Sequence, residues 1–307
     1  MIRFSIVIPC FNAADTLEAT LSSLVAQSFE NWEAICIDDG STDATQALLV
    51  DAAARDARIR IASNPKKGPS AARNHGALDL AQGEIIAFCD ADDLWSPRKL
   101  TELDRAFGDA GVGAAYGRVA FFKNRVEDAS STTTVLNQAL TIPTLLAENP
   151  VCTMSNLSVR RDIIQSVGGL DEAVVHNEDL EWLIRLVGHG VTITGLPALQ
   201  TFYRTSPQGL SSDLSAMAQG RASAVRTAAR FGVRPDSRAE AVYHRYLARR
   251  ALRLGLPAAI ALRHAISGVI NSPLGFFNSA RRGVLTLVGA LVATLLPRQA
   301  AYRLFNR

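Results

Sequence analysis

The sequence predicts an α/β fold around a mostly parallel sheet, followed by a helical and strongly basic C-terminal region. Three observations carry that expectation. Short apolar runs alternate with segments of helical spacing over the first hundred residues. Three of those runs end in polar or acidic residues, at Asn12, at Asp38-Asp39 and at Asp90-Ala91-Asp92-Asp93. After Tyr203-Arg204 the composition shifts to alanine, leucine and arginine.

Residues 4–9 are a continuous β-rich apolar run, the pattern of a strand buried on both faces. Leu17, Leu21, Leu24 and Val25 share one helical side, so a helix is expected within 12–27. Residues 34–37 form a second apolar run. It is closed by the string DDGSTD at 38–43, which turns the chain and offers helix N-caps. A helix over 44–54, a strand at 59–62, a loop at 66–70, a helix over 71–81 and a strand at 84–89 follow. Farther on, 115–122 reads as a strand and 128–134 as a polar loop. Residues 162–167 read as a short helix stopped by Gly168-Gly169, 179–187 as an amphipathic helix and 191–195 as a strand. Ligands of such sheets bind beyond the C-terminal strand ends, which makes the polar strand ends the main functional clue.

The 307 residues are 48% hydrophobic and 20% charged, an ordinary globular composition without repeats or low-complexity stretches. The first apolar run is too short for a secretory h-region. Cys10, Cys36, Cys89 and Cys152 have neither metal-ligand nor redox spacing, so small thiols in a reducing, cytoplasmic compartment are expected. The net charge of +3 hides an asymmetry. Residues 221–307 carry fifteen arginines, no lysine and only Asp236 and Glu240, a net +13 against −10 for the first 220 residues. An anionic surface is the natural partner of such a region. Nucleic acid is set aside, because no aromatic pattern interleaves the arginines.

Asp90, Asp92 and Asp93 crowd three carboxylates directly after an apolar strand, and like charges this close need a reason. A hard cation, Mn²⁺ or Mg²⁺, is one, since it binds one or two carboxylates together with substrate phosphates. The alternative is an acidic helix start, with Asp93 capping a helix over 94–100.

The strings SIVIPCFN at 5–12, IDDGSTD at 37–43, GPSAARN at 68–74 and GEIIAFCDADDL at 83–94 stand in order at sensible intervals. GGLD at 168–171 and HNEDLEWLIRLVGHG at 176–190 continue the series. Together they resemble the inverting glycosyltransferase family 2, over roughly two-thirds of the chain. The resemblance implies the GT-A fold, a Rossmann-like nucleotide-binding mixed sheet flanked by helices, here with a helical C-terminal extension. It implies a catalytic domain over 1–215, with a nucleotide-sugar half at 1–100 and an acceptor half at 101–215. The basic region would then run over 216–307.

The resemblance also assigns roles. Pro9, Phe11 and Asn12 would line the base pocket, with Phe11 offering a stacking face but not the hydroxyl of the tyrosine common in relatives. Asp39 would accept the imide N–H of a uracil or thymine ring. Arg73 would lie against the base or the phosphates, and Asp90 would approach the ribose or nearby donor groups. Asp92 and Asp93 would hold the metal-bound diphosphate, either one as the direct ligand. Glu178-Asp179 would open a helix beneath the acceptor pocket, with Asp179 as general base. In isolation Asp39 would read as a turn residue, Arg73 as a surface charge, and Glu178-Asp179 as a helix start anchored by Trp182. Tyr203-Arg204 stands where a C-terminal loop closes over the diphosphate in relatives. Residues 205–208 (TSPQ) replace a histidine region there, leaving Arg204 as the phosphate clamp.

Residues 283–297 are uncharged and bracketed by Arg281-Arg282 and Arg298. They are shorter than the ~20 residues a spanning helix needs, which suits a buried or interfacial helix. The expected protein is an inverting, metal-dependent transferase of a UDP-sugar onto a glycan or lipid-linked glycan, peripheral on the inner face of the cell membrane. A sugar-phosphate nucleotidyltransferase and a catalytically silent assembly or membrane-binding module are the alternatives.

Overall fold

The computed structural model describes residues 1–129, 131–205 and 213–305. The chain divides into two compact units, one of residues 1–140 and 150–206, the other of residues 141–149 and 207–307.

The first unit opens with β1 (Phe4–Cys10), α1 (Leu17–Val25), β2 (Trp32–Asp38), α2 (Thr45–Arg55), β3 (Ile59–Ser63) and α3 (Pro69–Asn74). Next come β4 (Ile85–Phe88), β5 (Leu94–Trp95), α4 (Lys99–Phe107), β6 (Ala114–Phe122) and β7 (Ser131–Thr132). After α5 (Ile142–Ala147), which belongs to the second unit, the first closes with β8 (Leu157–Arg160), α6 (Arg161–Val167), α7 (Glu178–Gly188) and β9 (Ile193–Arg204). The nine strands form one mixed sheet in the order β3-β2-β1-β4-β8-β6-β9-β5, with β7 paired to β6. β1, β2, β3 and β4 are mutually parallel, as are β6 and β9. β8 runs antiparallel to both β4 and β6, so it joins the two parallel sets. The carboxyl ends of β1, β2, β4, β6 and β9 therefore share one edge of the sheet.

β1 is buried on both faces, as its unbroken apolar sequence requires. Gly76 is the condition for close packing on it, because a Cβ there would meet Val7 Cγ1 at 2.4 Å. The expected single helix over 71–81 is instead α3 followed by a π-helical stretch, His75–Leu80. Two further expectations are corrected. Leu94-Trp95 pairs with β9 rather than starting a helix, and α4 begins only at Lys99, so Asp93 caps no helix. Tyr203-Arg204 ends the long strand β9, where main-chain pairing with β6 holds it, and is not part of a loop. Residues 206–208 lie outside the described residues.

The second unit is helical: α5, α8 (Leu214–Arg230), α9 (Ser237–Arg253), α10 (Ala258–Asn271), α11 (Pro273–Phe276), α12 (Ala280–Leu295) and α13 (Arg298–Phe305). Its core is small-residue rich, with Ala241, Ala248, Ala251, Ala261, Ala265 and Ala290 around Phe276. The sequence boundary near 215 placed α5 in the catalytic part. Its buried Ile142, Leu145 and Leu146 put it with the bundle instead.

Candidate active site

The turn after β1 and the turn after β2 are tied to each other. Asn12 has a left-handed backbone, φ 47°, which asparagine tolerates. Its carboxamide oxygen accepts the Thr42 N–H at 2.8 Å, and its own N–H donates to Ser41 Oγ at 3.0 Å. Asn12 thus serves the turn geometry. Phe11 stands 57% exposed beside it, with Lys67 Nζ 5.7 Å from its ring centroid. Asp39 accepts the Asn64 side-chain amide at 2.6 Å and the Gly68 N–H at 3.1 Å. The Lys67 ammonium donates to the Asp39 carbonyl. Pro9 pairs in register with Ile37, one strand over.

The second cluster forms where β4 ends. Arg73, on α3, is buried and donates through Nη2 to Asp90 at 2.6 Å and through Nη1 to Glu178 at 3.2 Å. Its Nε finds no partner. Burial works against the charge of Arg73, but Asp90, Glu178 and Asp179 outweigh it and raise its pKa. The next residue, Asn74, clasps the 168–171 string, donating to the Leu170 carbonyl at 2.9 Å and accepting the Leu170 N–H at 2.8 Å. Gly169 must lack a side chain here, because a Cβ would lie 2.2 Å from Asn74 Oδ1.

α7 starts from Asn177, another left-handed asparagine, φ 56°. Glu178, Asp179 and Glu181 fill its first turn, where the helix end favours negative charge. Trp182 is fully buried, donates its indole N–H to the Gly168 carbonyl at 2.9 Å and meets Phe88 edge to face. The anchor and the acidic start are thus two features of one helix.

The third cluster joins β4 to β9. Asp93 is buried. Its Oδ1 accepts the Arg204 main-chain N–H at 2.9 Å and its Oδ2 has no hydrogen-bond partner. Arg204 Nε donates to the Asp92 carbonyl at 2.9 Å, and the guanidinium lies 4.5 Å from the Phe122 ring centroid. Burial, then the charge of Asp90, pushes Asp92 up to about 6. Burial, Asp90 and Asp92 lift Asp93 well above the usual carboxylate range.

Beneath this cluster are residues the sequence reading did not single out. Ser155 Oγ accepts the Asp90 N–H at 2.9 Å, and Thr153 Oγ1 reaches Asp90 Oδ2 at 3.4 Å. The Ser155 carbonyl collects the Trp95 indole, the Lys99 ammonium and the Thr201 hydroxyl. Burial holds Lys99 down at about 7. The only sequence signal for this support is the polar string Thr153-Met154-Ser155-Asn156 in an otherwise apolar stretch.

A raised pair of carboxylates with one orphaned oxygen fits a hard cation, which would restore both charges. Among the described residues, no group of three or more His, Cys, Asp or Glu side chains is arranged to hold a metal alone. Asp90 is committed to Arg73, so Asp92 and Asp93 are the carboxylates of this cluster that a cation would meet.

The mixed sheet and its flanking helices define the fold as GT-A. The family model "Glycosyl transferase family 2" matches residues 5–168. The chain belongs to that family and is a glycosyltransferase. It is 30% identical over 211 residues to the Escherichia coli UDP-Glc:alpha-D-GlcNAc-diphosphoundecaprenol beta-1,3-glucosyltransferase WfgD, covering 68% of this chain and 79% of that one. The putative teichuronic acid biosynthesis glycosyltransferase TuaG of Bacillus subtilis is 38% identical over 96 residues, 31% of this chain and 38% of the relative. Among solved structures, S. aureus TarS 1-349 in complex with UDP-GlcNAc superposes with a TM-score of 0.60 at 15% identity, over 97% of this chain and 92% of that one. The mannosyltransferase PcManGT from Pyrobaculum calidifontis, in complex with GDP-Man and Mn2+, gives 0.61 at 19% identity, over 99% and 84%.

Proposed function

We propose that this glycosyltransferase moves a sugar from a UDP-sugar onto a hydroxyl of a lipid-linked glycan, with inversion, in one displacement. The observation that carries the reading is the Arg73 bridge, which ties Asp90 of the strand-end cluster to Glu178 at the start of α7. One guanidinium thereby couples a donor-side carboxylate to the residue next to Asp179, the candidate base. The E. coli relatives named for a diphosphoundecaprenol-linked GlcNAc substrate support the lipid-linked acceptor.

Phe11 gives the base an exposed ring to stack on, and Asp39 accepts the base imide. Asp92 and Asp93 would hold Mn²⁺ or Mg²⁺, and Arg204 would add a guanidinium for the diphosphate. The cation supplies charge neutralisation for the leaving diphosphate. The Asp179 carboxylate takes the proton of the acceptor hydroxyl as that oxygen bonds to the anomeric carbon. The bond to the diphosphate breaks in the same step, and UDP departs with its electron pair. Glu178 keeps Arg73 in place beside the base. The enzyme works at the cytoplasmic membrane face, where a lipid-linked acceptor is presented.

A thermal-shift series with UDP- and GDP-sugars, each with Mn²⁺ or EDTA, tests the donor site, because a ligand of the native state raises stability by mass action. A Mn²⁺-dependent shift with UDP-sugars alone is expected. Equal shifts in EDTA would overturn the metal assignment, and a GDP-only shift the choice of nucleotide.

A further inference from the structure

The bundle helix α12 is built inside out. Its inward positions are small: Gly283, Thr286, Gly289, Ala290 and Ala293. Gly283 has to be glycine for the packing to hold, and Gly289 leaves little room for more. A Cβ at Gly283 would meet Phe277 Cδ1 at 2.6 Å, and one at Gly289 would meet Phe305 Cε1 at 3.0 Å. Leu287 packs against the bundle core, but most of the large aliphatics point outward instead. Val284, Leu285, Val288, Leu291 and Leu295 are between 48% and 84% exposed. An ordinary surface helix has the reverse distribution. Ile266, Ile270 and Leu274 are likewise exposed on α10 and α11 of the same unit.

The charge around this face is mostly of one sign, the exception being Glu148 of the same unit, which pairs with Arg282 at 3.6 Å and Arg245 at 3.8 Å. From residue 241 to the end there are ten arginines and no acidic residue. Arg281 and Arg282 open α12, and Arg298 and Arg303 lie just beyond it. A second copy docked through the same face would set arginine against arginine, with Glu148 already shared between Arg245 and Arg282. An anionic bilayer satisfies both features, since aliphatic side chains enter the acyl boundary while arginines meet phosphate headgroups. Sixteen residues extend about 24 Å, short of the ~30 Å hydrocarbon core. No helix among the described residues is long and apolar enough to cross a membrane.

We infer that α12 is an in-plane membrane-docking helix, seated through Val284, Leu285, Val288, Leu291 and Leu295 on an anionic lipid surface. The inference rests on the membrane-face reading above and names the surface that performs it.

The test is co-sedimentation of the full chain with equimolar phosphatidylglycerol–phosphatidylcholine vesicles and with pure phosphatidylcholine vesicles. Wild type is expected to pellet with the anionic vesicles and to keep part of that binding at high salt. The combined variant V284Q/L285Q/V288Q/L291Q leaves the small inner face intact, and its binding should fall roughly ten-fold or more. Leu291→Trp gives an independent arm in a chain whose own tryptophans are buried. Its emission should shift to the blue and be quenched by brominated lipid. Wild type that binds while the Gln variant binds equally well and Leu291→Trp is silent would overturn the assignment of α12 alone. Wild type left in the supernatant would sink the membrane reading as well. Self-association in sedimentation velocity that the Gln variant abolishes, without vesicle binding, would reassign the face to a second copy.

Discussion

Arg73 Nη1 lies 3.2 Å from Glu178 Oε1, joining residues 105 positions apart in the chain. Through that contact the helix after β3 fixes the start of the helix that carries Asp179. Arg73→Gln would strand Asp90 and Glu178 as unpaired, part-buried carboxylates. Breaking one side of such a pair costs about 3–5 kcal/mol, so a clear fall in the urea midpoint is expected. Arg73→Lys should recover part of the stability and little of the activity, because one ammonium cannot serve both carboxylates in fork geometry. An Arg73→Gln protein as stable as wild type would remove the bridge from the argument.

Asp179→Asn removes the proposed proton acceptor and leaves the diphosphate side untouched. Turnover should drop about 10²–10⁴-fold. The affinity for UDP, measured by calorimetry with Mn²⁺, should change little. If affinity and turnover fall by one common factor, Asp179 serves donor binding or the fold instead.

Asp93→Asn should separate stability from activity. The carboxylate is held far from its preferred ionised state by burial and by Asp90 and Asp92. A neutral isostere relieves that repulsion, so the melting temperature should hold or rise. Mn²⁺-dependent turnover should fall by about 10²-fold or more, several kcal/mol of charge stabilisation having gone. EDTA should reduce wild-type activity to a comparable level. Full activity in EDTA would rule out the metal.

Lys99 offers a pH test that needs no substrate. Its folded pKa, about 7, lies below the ordinary 10.5. Between those values the unfolded chain binds the extra proton, so this group makes stability rise with pH across the window. Below about pH 7 its penalty is complete. Lys99→Met should therefore be more stable than wild type at pH 7, by about 1–4 kcal/mol. The advantage should vanish towards pH 10.5. The Ser155 carbonyl keeps its Trp95 and Thr201 donors in the variant. A difference between the two proteins that does not vary with pH would refute the assignment.

The parallel half of the sheet was legible because β1, β2 and β4 are buried on both faces and so are written as unbroken apolar runs. The acidic strand ends were equally plain. The sheet beyond β4 was harder to read. β8 has four residues and β5 two, too few for any period to emerge. The support under Asp90 comes from Ser155 and Thr153, polar residues whose burial only the tertiary structure reveals. Arg73 was placed near the nucleotide by resemblance. Its partners, Asp90 at 17 residues' separation and Glu178 at 105, could not be read from the sequence. Asn12 was likewise assigned to the base pocket by resemblance, and the contact of its carboxamide oxygen with the Thr42 N–H was not legible in the sequence.

The membership of α5 in the helical bundle bears on how the protein is made. α5 leaves the ribosome before any part of α8 to α13 has been synthesised. Its buried Ile142, Leu145 and Leu146 must wait for partners on α8 and α9, encoded beyond β9. Completion of the bundle is therefore a late, long-range event. A premature stop between β9 and α9 would release a catalytic unit carrying an uncovered aliphatic helix, a natural mark for quality control.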